Sequence, residues 1–299
     1  MDYSIWIVSP PGYLHSHAFD EIALSLKNGF AELGFKVPIV RDAQEISGKA
    51  IVLGCNLLPH HKGALPRNLI LFNLEQIQVG SPWLSPAYLE LLKRYPVWDY
   101  SYHNMKVLQT LGVDTVTYCG IGYSPVLSRI SQAMEDIDIL FYGSINSRRL
   151  KILQELKRRG VEVVGIFGVY GEERDRYIAR SKVIVNIHYY EARVFEMVRV
   201  SYLLANKKFV ISEVGHDQEI EKFFAKGMIF SPYHHLVETC MAYLKKEDQR
   251  REIAEQGFNL IRMHPQSSCL KKVLGGDEGL HGNQSKINSH TQVGAYYAE

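Results

Sequence analysis

His188-Tyr189-Tyr190-Glu191-Ala192-Arg193-Val194-Phe195-Glu196-Met197-Val198-Arg199-Val200-Ser201-Tyr202-Leu203-Leu204-Ala205-Asn206-Lys207-Lys208-Phe209-Val210-Ile211-Ser212-Glu213 joins three local signals. The run before it, Val183–Ile187, is apolar and β-branched, the pattern of a strand buried on both faces. The stretch opens as a polar aromatic loop, and its periodicity then predicts a helix over Ala192–Leu204. A second strand follows at Lys207–Ser212. Strand, helix and strand in succession form the repeating unit of a parallel sheet. Glu196 falls in the first turn of the expected helix and shares a face with Arg199. A helix start offers free N–H groups and a positive dipole end to a phosphate, and a carboxylate there accepts hydrogen bonds from ribose hydroxyls.

The same alternation extends in both directions. Upstream, strands are expected at Ser4–Val8, Lys36–Val40, Ala50–Gly54, Asn68–Asn73, Val97–Ser101 and Val113–Tyr118. Helices are expected through Ile22–Leu33, Pro86–Arg94 and Asn104–Gly112. After a polar pause at Ser124–Asp136 come strands at Ile137–Gly143 and Val161–Phe167. Further helices are expected at Arg148–Arg159, Glu172–Ala179, His234–Leu244 and Asp248–Met263, the last crossing back to the first unit. The fold class is therefore α/β, with two Rossmann-like domains and a ligand cleft at the carboxyl ends of their strands. The expected divisions are 1–122, a linker at 123–136, a second domain at 137–266 and a flexible tail at 267–299, rich in polar residues and glycine.

Composition narrows the function. In 299 residues, Lys+Arg 34 and Asp+Glu 32 leave a formal charge of +2, which gives no strong nucleic-acid signal. Cys55, Cys119, Cys240 and Cys269 form no C-x-x-C pair, so a structural zinc site is not expected and a reducing, cytoplasmic setting is. The start MDYSIWIVSPPGY lacks a basic n-region, and no run has the length of a membrane span; peripheral membrane contact stays open. P-loop, zincin and serine-hydrolase motifs are absent. Asp136-Ile137-Asp138 has a metal-binding D-x-D form but precedes a strand instead of following one, so no metal is expected.

Phe195-Glu196 followed by Leu204-Ala205-Asn206-Lys207-Lys208-Phe209-Val210-Ile211-Ser212 resembles the nucleotide-sugar-binding domain of GT-B glycosyltransferases, whose helix and strand read roughly E-x-x-G-x-x-x-x-E-A-x-A-x-G and p-V-V-x-S. The resemblance implies sugar transfer from a nucleotide-diphosphate sugar to a hydroxyl acceptor such as a glycan or other polymer, with no cofactor and no metal. It implies that Glu196 meets the donor ribose, while the family's upstream Glu falls on His188. Asp138–Ser144 followed by Arg148-Arg149 resembles the strand and basic turn that open the same domain, with Gly143 for close backbone approach and one of the two arginines for the diphosphate. Tyr170 lies in the expected base-binding loop; Tyr190, Glu191 and Arg193 complete the expected donor set with His188.

In the first unit, the loop Ser9–His17 corresponds to the family's glycine-bearing loop and places Gly12 on the cleft. The expected base on the acceptor is His17, with His15 beside it, or Glu75 at the end of the Asn68–Asn73 strand. A GT-B-fold nucleotide-sugar epimerase, and a noncatalytic nucleotide-sugar or glycan-binding subunit, are the alternative functions for the same fold.

Overall fold

In the computed structural model, residues 2–81 and 83–277 are described. Among them, strands β1 (Tyr3–Ile7), β2 (Ile39–Val40), β3 (Lys49–Leu53), β4 (Leu69–Asn73), β5 (Val97–Asp99) and β6 (Val116–Tyr118) form one sheet, in the order β2-β1-β3-β4-β5-β6. Strands β7 (Ile137–Tyr142), β8 (Val163–Ile166), β9 (Ser181–Asn186), β10 (Val210–Glu213) and β11 (Ile229–Ser231) form a second, in the order β11-β10-β9-β7-β8. Every pairing is parallel. All five residues of β1 and of β4 are buried, as strands covered on both faces must be. Strand order reverses at β1 in the first sheet and at β7 in the second, so each Rossmann-like domain opens a crevice there. Among the described residues, no helix is long and apolar enough to cross a membrane.

Two expectations are corrected. The helix after β9 runs Met197–Ala205, not from Ala192. Arg193 adopts φ +41°, outside the helical region. The preceding N–H groups are claimed from afar: Ala192 by Gln78 Oε1 at 3.3 Å, Val194 by Gln76 Oε1 at 3.3 Å and Phe195 by Asp217 Oδ2 at 3.0 Å.

The second correction concerns the tail. Gln266–Asp277 is a helix, and the remainder of the expected tail, 278–299, lies outside the described residues. This helix, not the one at Glu247–Arg262, returns to the first domain and packs on the helix Asp20–Glu32. Leu270 and Val273 are buried in that contact. Gln266 anchors it, its N–H donating to Tyr123 O at 2.7 Å and its Oε1 accepting from Gly122 N at 2.8 Å. Gly29 permits the approach, since a Cβ there would lie 3.0 Å from Leu270 Cδ1 and 3.1 Å from the Ser267 nitrogen. Gly29→Val is expected to lower stability by about 1–3 kcal/mol, the cost of overpacking a close contact. A denaturant melt, compared with Gly275→Ala at an open position of the Gln266–Asp277 helix, measures it.

Candidate active site

The carboxyl ends of the two sheets face each other across a cleft of about 490 Å³. From the first domain, the turn after β1 uses Gly12, at φ +75°, to bring Tyr13 N to Pro10 O at 3.0 Å, and it delivers Tyr13 and His15 to the cleft. The loop after β3 brings Asn56, and the segment after β4 brings Glu75 and Gln76. From the second domain come Gly143 and Ser144 after β7, Phe167–Tyr170 after β8, Tyr189 and Tyr190 after β9, and Arg199 from the Met197–Ala205 helix. Two contacts span the mouth. His15 Nδ1 lies 2.6 Å from the Tyr170 hydroxyl, and the Trp83 indole donates to the Tyr190 hydroxyl.

Glu196 stands just before that helix, where the dipole favours a negative charge. Its carboxylate accepts from Asn186 Nδ2 at 2.8 Å and lies 3.0 Å from His188 Nδ1, with Arg149 Nη2 at 3.9 Å. Burial alone would raise its pKa, but the His188 imidazolium, Arg199 and Asn186 outweigh burial and bring it to about 2. His188 is fully buried, and both ring nitrogens face acceptors: Nδ1 the Glu196 carboxylate, Nε2 the Glu213 carbonyl at 3.1 Å. A ring donating on both sides is an imidazolium. Burial opposes that charge, yet the glutamates hold its pKa above the ordinary value.

Arg149 is almost fully buried, and its guanidinium is fixed by Ile187 O at 2.8 Å and Ser144 O at 2.8 Å. Burial, then the like charge of Arg199, pull its pKa down to about 10. Arg199 donates to Asn186 Oδ1 at 2.7 Å and lies against Gly143. At φ +133°, a side chain on Gly143 would be strained, and its Cβ, 2.9 Å from Arg199 Nη2, would displace that guanidinium.

Across the cleft, Glu75 is half-buried and accepts from Asn56 Nδ2 at 3.2 Å. Burial pushes its carboxyl from 4.5 up to about 7. Asp99, beneath it, is also raised to about 7 by burial, against three N–H donors from Asn73, Ser101 and Asn104.

Of the residues expected from sequence, the cleft brings together Glu75, Gly143, Arg149, Tyr170, Tyr190 and Glu196. The others lie elsewhere. His17 is exposed, pairs with Asp20 at 2.8 Å and does not line the cleft; its neighbour His15 does. Gly12 shapes the turn without facing the ligand space. Arg148 turns away, paired with Glu213 and stacked 4.0 Å over Tyr233. His188 sits behind Glu196, Glu191 is exposed outside the cleft, and Arg193 bonds His216 at 2.7 Å. Sequence reasoning missed Tyr13, Asn56, Gln76 and Trp83. Only Gln76 carried a signal, its place beside Glu75.

Comparisons with known proteins agree with this geometry. Residues 127–269 match the family described as glycosyl transferase-like. An uncharacterized protein of Acanthamoeba polyphaga mimivirus is 28% identical over 218 residues, 69% of each chain. Two others from that virus are 29% identical over 160 residues and 25% identical over 219, where the alignments span only 18% and 29% of the relatives' length. HepE of Anabaena, solved with UDP and glucose, superposes with a TM-score of 0.60 at 10% identity, covering 93% of this chain and 100% of that one. Sucrose-phosphate synthase of Thermosynechococcus elongatus gives 0.62 at 11% identity, covering 95% and 100%. Paired parallel sheets and a cleft between their switch points coincide with these superpositions: the chain has the GT-B fold, two Rossmann-like domains, and its residues 127–269 are similar to the glycosyl transferase-like family.

Proposed function

We propose that the protein transfers a sugar from a nucleoside diphosphate sugar to a hydroxyl of a glycan or other polymer, without a metal, in a reducing cytoplasmic setting. One observation carries the reading. Arg149, Arg199, Gly143 and Glu196 converge on one wall of a cleft whose other wall presents Glu75. On this reading Glu196, kept ionised, accepts the donor's ribose hydroxyls, and the guanidiniums meet the diphosphate beside Gly143 and Ser144. Glu75 accepts the proton of the acceptor hydroxyl. The acceptor oxygen bonds to the anomeric carbon, the bond from that carbon to the phosphate oxygen breaks, and the charge left on the diphosphate falls on Arg149 and Arg199. Asp136 and Asp138 support the metal-free reading. They lie at the amino end of β7, away from the cleft, paired with Arg180 at 2.5 Å and Lys182 at 2.7 Å. The free cysteines Cys55, Cys119 and Cys240, all buried, support a reducing compartment.

The donor reading is tested by thermal unfolding with UDP, GDP and dTDP. One of them is expected to stabilise the protein, by about 2.7 kcal/mol at a hundredfold excess over its Kd. No shift with any of them would sink the donor site.

Glu75 works as a base only when ionised, so kcat/KM should rise with pH through about 7. Glu75→Gln should lower turnover about 100-fold or more and remove that limb of the profile.

The His188–Glu196 pair sets a stability window. Glu196, depressed from 4.5 to about 2, contributes fully above pH 4.5 and loses its contribution as pH falls toward 2. His188, raised from 6.5, contributes fully below pH 6.5 and loses its contribution as pH rises through its folded value. His188→Gln should cost about 3–5 kcal/mol between pH 4.5 and 6.5, and less on the alkaline side. Denaturant melts across pH check the sign.

A further inference from the structure

The segment after β4 sends neighbouring side chains into opposite walls of the cleft. Its backbone is pinned on either side of Gln76. Asn104 Nδ2 donates to Glu75 O at 2.9 Å, and Asn104 Oδ1 accepts from Ile77 N at 2.9 Å. Asn73 Nδ2 adds a second bond to Glu75 O at 2.9 Å. Buried Asp99 orients both amides, at 2.6 Å from Asn73 and 3.1 Å from Asn104. From this fixed frame Glu75 turns to Asn56 of its own domain, while Gln76 crosses to the other. Gln76 Nε2 donates to Glu196 Oε1 at 3.4 Å, and its Oε1 accepts from Val194 N at 3.3 Å. Gln78 repeats the second contact on Ala192 N at 3.3 Å.

We propose that Gln76 is a positioning residue coupling the two halves of the site, so that Glu75 is set for the acceptor only when the Val194–Glu196 segment is in place for the donor. The inference rests on the donor and base readings above. Its physical basis is that, among the described residues, Gln76 carries the first domain's hydrogen bond to Glu196, through a rigid backbone. A nucleotide filling Glu196 shares that carboxylate with the Gln76 amide. Any shift of residues 194–196 passes through two hydrogen bonds into a segment with no slack. A glutamine suits this role because it donates to a carboxylate and accepts from an N–H at once, which neither an acid nor a base does in its charged form.

The test uses full-length protein and the nucleotide that binds wild type best among UDP, GDP and dTDP, together with its glucosyl ester, whose hydrolysis reports turnover with water in place of the acceptor. In Gln76→Ala, turnover should fall about tenfold while nucleotide Kd stays within about threefold, because the nucleotide's own contacts remain. Gln76→Glu adds a functional readout. The introduced carboxyl faces Glu196 across the cleft and Glu75 alongside, with His188, Arg149 and Arg199 around Glu196. Its turnover relative to wild type should be lowest at pH 8 and recover as pH falls, when the protonated carboxyl again donates to Glu196. A parallel loss of binding and turnover in Gln76→Ala, a pH-independent ratio in Gln76→Glu, or wild-type behaviour in both variants would overturn the coupling and leave the donor reading standing. If none of the three nucleotides binds wild type, the donor reading fails and this inference with it. Binding without turnover of the ester removes the base reading, and again the inference falls with it.

Discussion

A carboxylate kept ionised in a buried place is the constraint around which the second domain is organised. Glu196 would cost several kcal/mol to desolvate alone, so its neighbourhood is built of donors. His188 lies two residues past β9, and Asn186, the strand's last residue, donates to the same carboxylate. Arg149 enters from the helix after β7, and Gln76 from the other domain. The His188 imidazolium needs a second acceptor, which β10 supplies as the Glu213 carbonyl. The Glu213 side chain then pairs with Arg148 and accepts from the His188 N–H at 3.0 Å. One charge thus fixes the relative register of β7, β9 and β10 at their carboxyl ends, where the ligand must sit.

The two domains are held together by interactions of a different kind from those inside each. Glu21 of the first accepts from Arg174 at 2.9 Å and from Arg129 at 2.9 Å, and Asp175 and Tyr202 complete the cluster. The Arg174–Glu21 part is buried, where removing one partner is far costlier than making the pair was rewarding. Such a seam therefore gives orientation more than adhesion. Adhesion comes from the apolar docking of the Gln266–Asp277 helix onto Asp20–Glu32, where Leu270 and Val273 are buried.

The sequence reads well where burial is two-sided. Each expected strand, from Ser4–Val8 to Lys207–Ser212, lies on an observed one because a covered parallel strand must be an unbroken apolar run. The reading fails where long-range partners decide. Strand β11, at the edge of its sheet with two of its three residues only half-buried, goes unread. The Met197 helix start depends on Gln76, Gln78 and Asp217, none of them near in sequence. The choice between His15 and His17 depends on the phase of the short helical turn Leu14–Phe19: at three residues per turn they point about 120° apart, so only one faces the cleft. Arg148 and Arg149 differ by about 100° on their helix, and the Glu213–Tyr233 niche takes the first. The acidic residue at the site was legible in its local pattern, whereas the partners that keep it ionised were only partly so.

A near-neutral chain can still present a strongly positive ligand wall, and the pairings explain how. Arg148 is neutralised by Glu213, and Arg174 and Arg129 by Glu21 and Asp175. Arg149 and Arg199 are left facing the cleft, and burial, then the like charge of Arg199, lower the Arg149 value. Repulsion between two guanidiniums held by backbone carbonyls and an asparagine cannot relax by movement, because those bonds fix both groups. On the proposed donor reading, it would relax when a dianion enters between them. The cost of holding the cations together is met on folding, so that on this reading stabilising a departing diphosphate would require no rearrangement at the moment its charge develops.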